Sequence, residues 1–118
     1  MRFNPMVIHY IRALPAPLRE GVVSSLDYLA TFGRSAALPD VRHRIAKHLN
    51  LSETRSDRIV DGTTWAVRVL VVFHTDRLML ACVAGNKAGY ISKRPPNDWY
   101  HDFVPVALAI YDHMKGDL

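Results

Sequence analysis

Apolar positions change their spacing about halfway along this chain. From Asn4 the pattern is helical: Asn4-Pro5 offers a capping side chain followed by a residue whose φ is already set, and Ile8, Ile11 and Leu14 recur at helical spacing. Pro15 ends that segment and Pro17 can open the next, in which Leu18, Val22, Leu26 and Leu29 form a stripe before Gly33 supplies a C-terminal cap. The two segments predict a helical hairpin with one apolar side. From residue 49 the period shortens. "LNLSETR" (49 to 55) alternates, "TTWAVRVLVVFH" (63 to 74) is rich in β-branched and aromatic residues, and "RLMLACVA" (77 to 84) is a third apolar run. The short segment 74–77 leaves room only for a tight turn, so the second and third strands should pair antiparallel. Trp99, Phe103, Val106, Ile110 and Met114 then return to helical spacing. Pro105 must either lie in a first turn opened by Asp102 or kink a longer helix that begins near Asn97.

The expectation is an α+β domain covering residues 1–118, with helices on one face of a small antiparallel sheet and the other face open for a ligand. Within the second strand, Trp65, Val67, Val69, Val71 and Phe73 project to one face, and Ala66, Arg68, Leu70 and Val72 to the other. Arg68 is the one charge there. It needs either a salt bridge, Glu53 on the neighbouring strand being a candidate, or a cleft in which its planar fork binds phosphate.

Composition narrows the class. A chain of 118 residues with 49% hydrophobic content can bury a core unaided. Its single cysteine, Cys82, permits no internal disulfide and has no metal-ligand spacing around it, which fits a reducing cytoplasm. The proline-interrupted N-terminus has neither a secretory apolar block nor a membrane span, so a soluble cytoplasmic protein is expected.

The net charge of +4 is unevenly distributed. Six cations (Arg34, Arg42, Arg44, Lys47, Arg55 and Arg58) lie between residues 34 and 58 against three acids. A further four (Arg77, Lys87, Lys93 and Arg94) lie between 77 and 94 with no acid among them. This pattern reads either as a basic face for a polyanion or as an ordinary solvated surface.

In an antiparallel meander the first and third strands flank the second and end on the same side, so Arg55, Arg68 and Lys87 can gather on one patch. Gly85 and Gly89 would allow backbone turns that bring Lys87 back across the sheet. Such a set could cleave RNA without a metal, because the 2′-OH is a built-in nucleophile and cations can stabilise the pentacovalent phosphate. His48, His43, Tyr90, Tyr100 or His101 could move the protons; each is also an ordinary surface or capping residue type. Trp99 and Tyr100 either stack on bases or pack in the core. "GNKAG" is neither a Walker loop nor a dinucleotide fingerprint, and there is no nucleophile elbow. The six histidines form no metal motif.

Taken in order, "SSLDYLATFG", "LNLSETR", "WAVRVLVVF", and "LACVAGNKAG" followed by "WYHDFVPVALAIYDHM" resemble the HigB-like toxins of the RelE/ParE superfamily across roughly residues 18 to 114. The resemblance implies a RelE-like fold and a ribosome-dependent endoribonuclease that cuts mRNA until a cognate helix-turn-helix antitoxin neutralises it. It implies no cofactor. By position, Arg55 matches the arginine ending the family's Leu-x-Glu-Leu-Arg strand, Arg68 that of the central strand, Lys87 the basic residue after the last strand, and His48 a histidine common before the first of these. Arg42, Arg44, Lys47, Arg58, Lys93 and Arg94 would contact mRNA and ribosomal RNA. The chain departs from the family where Thr54 replaces a leucine, where the first strand shrinks to "MRF", and where "YISKRPPND" lengthens the last loop. The alternative is a RelE/ParE-fold non-nuclease binding toxin, for example one that targets gyrase, or a nuclease-inactive interaction module.

Overall fold

Asp61 and Gly62, at φ +50° and +77°, make the two-residue turn that sets the sheet of this protein, seen here in a computed structural model describing residues 1–91 and 98–118. It joins β3 (Leu51–Val60) to β4 (Thr63–Phe73) as an antiparallel hairpin. A loop of that length dictates the register: Val60 lies opposite Thr63, and therefore Arg55 opposite Arg68 and Glu53 opposite Leu70. β3 thus runs five residues beyond the Arg55 expected to close it.

β5 (Met79–Asn86) pairs antiparallel with the other side of β4, with one bulge. Leu70 faces Val83 while Val71 faces Ala81, so Cys82 is the extra residue. Two short strands finish the edges. β1 (Arg2–Phe3) lies parallel to β5, and β2 (Val41–Arg42) antiparallel to β3, giving the order β1-β5-β4-β3-β2. The sheet is therefore mixed, where a purely antiparallel one was expected.

The helices also depart from expectation. α1 (Pro5–Arg12) packs chiefly on β5 and α2 (Ala16–Phe32) on β3, so the two lie side by side on the sheet instead of closing on each other as a hairpin. The row buried by α1 and the turn after it is Val7, Ile11 and Leu14, and Ile8 is 37% exposed. The start of the helix sets this rotation: the Asn4 backbone N–H donates to the Ala81 carbonyl at 2.9 Å, and its Nδ2 to that of Cys82 at 3.2 Å. α2 buries the expected Leu18, Val22, Leu26 and Leu29.

The opposite face is covered too. α3 (Trp99–Lys115) lies across it, capped by the Asp98 carboxylate accepting from the Tyr100 N–H at 2.9 Å. Pro105 is thus inside the helix and not in a first turn, leaving the His101 carbonyl without its usual partner; Asn97 lies outside the described residues. Each face has its own core. Val67, Val69, Val71 and Phe73 join α1 and α2, while Leu70, Val72, Leu80 and Cys82 join Trp99, Val104 and Ala107. Among the described residues no helix is long and apolar enough to cross a membrane.

Candidate functional site

Charge enters the α3 side where the helix begins. Alternation along β3 turns Leu51, Glu53, Arg55 and Asp57 toward that side, and β4 adds Arg68 beyond its last apolar residue, Leu70. Opposite Arg68 on β5 stands Gly85, which has no side chain to cover it. Trp99 fills that space: a Cβ built on Gly85 would lie 3.2 Å from the indole Nε1. Gly85 is thus a seat for Trp99 within a strand and not a turn, whereas Gly89, at φ +69°, does adopt the left-handed conformation. Seating Trp99 delivers its neighbour Tyr100 over the charged residues.

The centre of the group is Glu53, fully buried at 0% exposure. Its Oε1 accepts a hydrogen bond from the Tyr100 hydroxyl at 2.9 Å. Three guanidinium groups approach the same oxygen through Nε: Arg42 at 3.3 Å, Arg55 at 3.8 Å and Arg68 at 3.8 Å. Arg68, itself 3% exposed, also donates to Asp57 at 2.6 Å and to its neighbour's carbonyl, that of Val67, at 3.2 Å. The salt-bridge partner foreseen for Arg68 is therefore present, with Asp57 as a second and closer one. Burial lowers the Arg68 pKa, but the bond to Asp57 and the nearby Tyr100 outweigh it and the net shift is upward.

Lys87 is held from two directions. Its N–H donates to the Ala66 carbonyl at 2.8 Å, extending the ladder one residue past β5. Asn86 closes the corner by accepting from the N–H groups of Ala66 at 2.9 Å and Ala88 at 3.0 Å. The ammonium then lies 4.9 Å from the centre of the Tyr100 ring, against which the Arg42 guanidinium also packs, at 5.2 Å. Burial raises the Tyr100 pKa first, Glu53 raises it further, and Arg68 opposes them. Tyr100 is accordingly a neutral phenol at ordinary pH.

Arg42, Arg55, Arg68, Lys87 and Tyr100 thus share one centre, and other expected site residues stand elsewhere. His48 is exposed on the β2–β3 connection, and its ring has no hydrogen bond or ion pair among the described residues. Arg44 and Lys47, both at positive φ, are exposed on the same connection. Arg58 alternates to the opposite side of β3 from Arg55. Lys93 and Arg94 lie outside the described residues. His43 has both ring nitrogens engaged, by Ser52 Oγ and the Ala36 carbonyl, each at 2.6 Å. Tyr90 donates to Asp102 at 2.7 Å, and the His101 Nδ1 lies 3.4 Å from the same carboxyl group. Trp99 is buried at 3%, so it packs and does not offer a stacking platform.

The residue missed at the centre is Glu53, weighed from sequence only as a partner for Arg68. Its signal was available: it alternates with Leu51 on a core-facing row, as Arg68 does with Leu70. A groove of about 320 Å³ between α2 and β3, walled by Ser25, Ser56 and Arg58, reaches Arg55 and Asp57. A larger cavity, of about 700 Å³, is lined by apolar residues such as Phe3, Leu80, Ile110 and Met114, and none of the charged group borders it. No protein-family model, curated protein or solved structure matches this chain.

Proposed function

We propose that this protein is a HigB-like toxin of the RelE/ParE kind, an endoribonuclease that cuts mRNA on the ribosome and is neutralised by a cognate helix-turn-helix antitoxin. The observation that carries the reading is the gathering of four cations, Arg42, Arg55, Arg68 and Lys87, from four separate segments around Glu53 and the Tyr100 phenol bonded to it. RNA cleavage asks for this kind of equipment. The 2′-OH must lie in line with the scissile bond, and the charge that develops on the phosphate must be met by donors already in position. Arg55 and Lys87, at the outer side of the group, bind the phosphate oxygens. Arg68 contributes field from beneath, being 3% exposed. Tyr100, whose hydroxyl donates to the buried Glu53 at 2.9 Å, holds its ring against Arg42 and Lys87 and so keeps the cations in place.

Cleavage of a reporter mRNA in a translating extract tests this. Wild-type protein should cut it, and Arg55→Ala and Lys87→Ala should each cut it at least tenfold more slowly. Cutting that survives both substitutions would remove the site. The deep pairing of Arg68 with Asp57 and Glu53 favours a second reading, a RelE/ParE-fold toxin that occupies a target such as gyrase without cutting RNA. Growth arrest with intact mRNA would select it.

A further inference from the structure

Glu53 has no place in an ordinary core. Its neighbours on that face, Leu51 and Leu70, are apolar, and a leucine would fill the same position without the several kcal/mol that burying a carboxylate costs. One of its oxygens, Oε2, is buried with no hydrogen-bond donor, which adds a penalty of about 1–3 kcal/mol. Costs of this kind persist at sites where geometry serves a function.

What Glu53 does is visible in how its partners meet it. Arg42, Arg55 and Arg68 all approach through Nε, the inner nitrogen of the guanidinium, Arg42 most closely at 3.3 Å and the other two at 3.8 Å as ion pairs without a hydrogen bond. The Arg42 and Arg55 side chains are 43% and 30% exposed, so their outer nitrogens are accessible to an outside anion. The Tyr100 hydroxyl is turned inward to the same oxygen, which holds the ring against Arg42 and Lys87. With 0% exposure, Glu53 cannot touch RNA itself.

We propose that Glu53 is the positioning residue of this site, a buried anchor that aims the Arg42 and Arg55 guanidinium groups, and through Tyr100 one ammonium, at a single phosphodiester of the RNA backbone, with Arg68 held beneath them by Asp57. The proposal rests on reading the site as one that binds and cleaves RNA. Glu53 sets geometry, so moving its carboxylate at constant charge should matter.

Glu53→Asp withdraws the carboxylate by one methylene and keeps the net charge. In the folded variant, kcat for mRNA cleavage should fall on the order of a hundredfold, and binding of a 2′-O-methyl RNA oligonucleotide, which cannot be cut, should weaken severalfold. Wild-type affinity and kcat in folded Glu53→Asp would overturn the proposal, since charge alone would then suffice. Glu53→Gln gives a spectroscopic readout: by tyrosinate absorbance, one tyrosine should titrate at lower pH than in wild type, and that transition should vanish with Tyr100→Phe. An unchanged titration would overturn it, as would loss of the fold in both Glu53 variants, because Glu53 would then be purely structural. Wild-type protein that binds the oligonucleotide in a Glu53-dependent way but cuts nothing would defeat the ribonuclease reading and leave the positioning role standing.

Discussion

The two faces of β4 are built from one strand with one alternation, yet they differ in kind. Toward α1 and α2 the row Val67, Val69, Val71, Phe73 is apolar from end to end, and two helices cover it. Toward α3 the row begins as Val72 and Leu70 and then changes to Arg68 where the helix starts. The first face is a core that could be repacked with other apolar residues of similar volume. The second is half core and half charge cluster, in which Arg42, Arg55 and Arg68 pair with Glu53 and Lys87 packs on Tyr100. One face is a packed core; the other carries the charges on which the proposed function rests.

Substitutions on the two faces should therefore behave differently. Phe73→Ala, which removes a ring 2% exposed on the α1/α2 side, should cost about 3–5 kcal/mol in chemical denaturation and leave RNA affinity of the folded protein unchanged. A fall in affinity would mean that the faces are coupled. Arg68→Ala leaves Glu53 with two of its three arginines and should cost about 2–3 kcal/mol. The double change Glu53→Leu with Arg68→Met should recover most of that stability and none of the RNA cleavage; a double variant no more stable than Arg68→Ala would show that the charges are not a unit. Gly85→Ala puts a methyl 3.2 Å from the Trp99 indole and should cost about 1–2 kcal/mol, with cleavage falling further than stability because Tyr100 moves with Trp99.

The smallest effect separates the faces by pH. Burial pushes the Cys82 thiol on the α3 side up to about 12 from an ordinary value of 9.0. Above pH 9 the unfolded chain loses that proton while the folded one keeps it, so stability is fully present below about pH 9 and declines as pH rises toward about 12. The slope from this thiol should be at most about 1.4 kcal/mol per pH unit. Tyr100 acts in the same direction. Melting curves between pH 8 and 10.5 should show the decline, and Cys82→Ala should flatten it.

Much of this arrangement was legible in the chain because it is local. The face partition of β4 follows from a period of two with one interrupting charge, and the α2 row from a period of 3.6. Asp61-Gly62 was legible as well, being a strong hairpin signal, and it alone sets Arg55 across from Arg68. The change of β3 to polar residues after Arg55, at Ser56, Asp57 and Arg58, masks it; that stretch lies beyond the reach of β2, where an edge strand tolerates polar residues on both faces. The rotation of α1 was not legible, since it depends on Asn4 bonding to residues nearly eighty positions away. Nor was the covered α3 face, because where a closing helix docks is a tertiary choice. His48 drew notice through its position in a resemblance, and position along the chain says nothing of distance from Glu53.

The extra residue in β5 acts as a phase shift between the two ends of the sheet. Near the 74–78 connection, Phe73 faces Met79 in a regular ladder; past Cys82, the same ladder brings Gly85 rather than Ala84 across from Arg68. The same strand paired without that interruption would lay the Ala84 methyl under the indole and move Lys87 out of step with Ala66. The irregular pairing is what lets a regular sheet end in a machined socket.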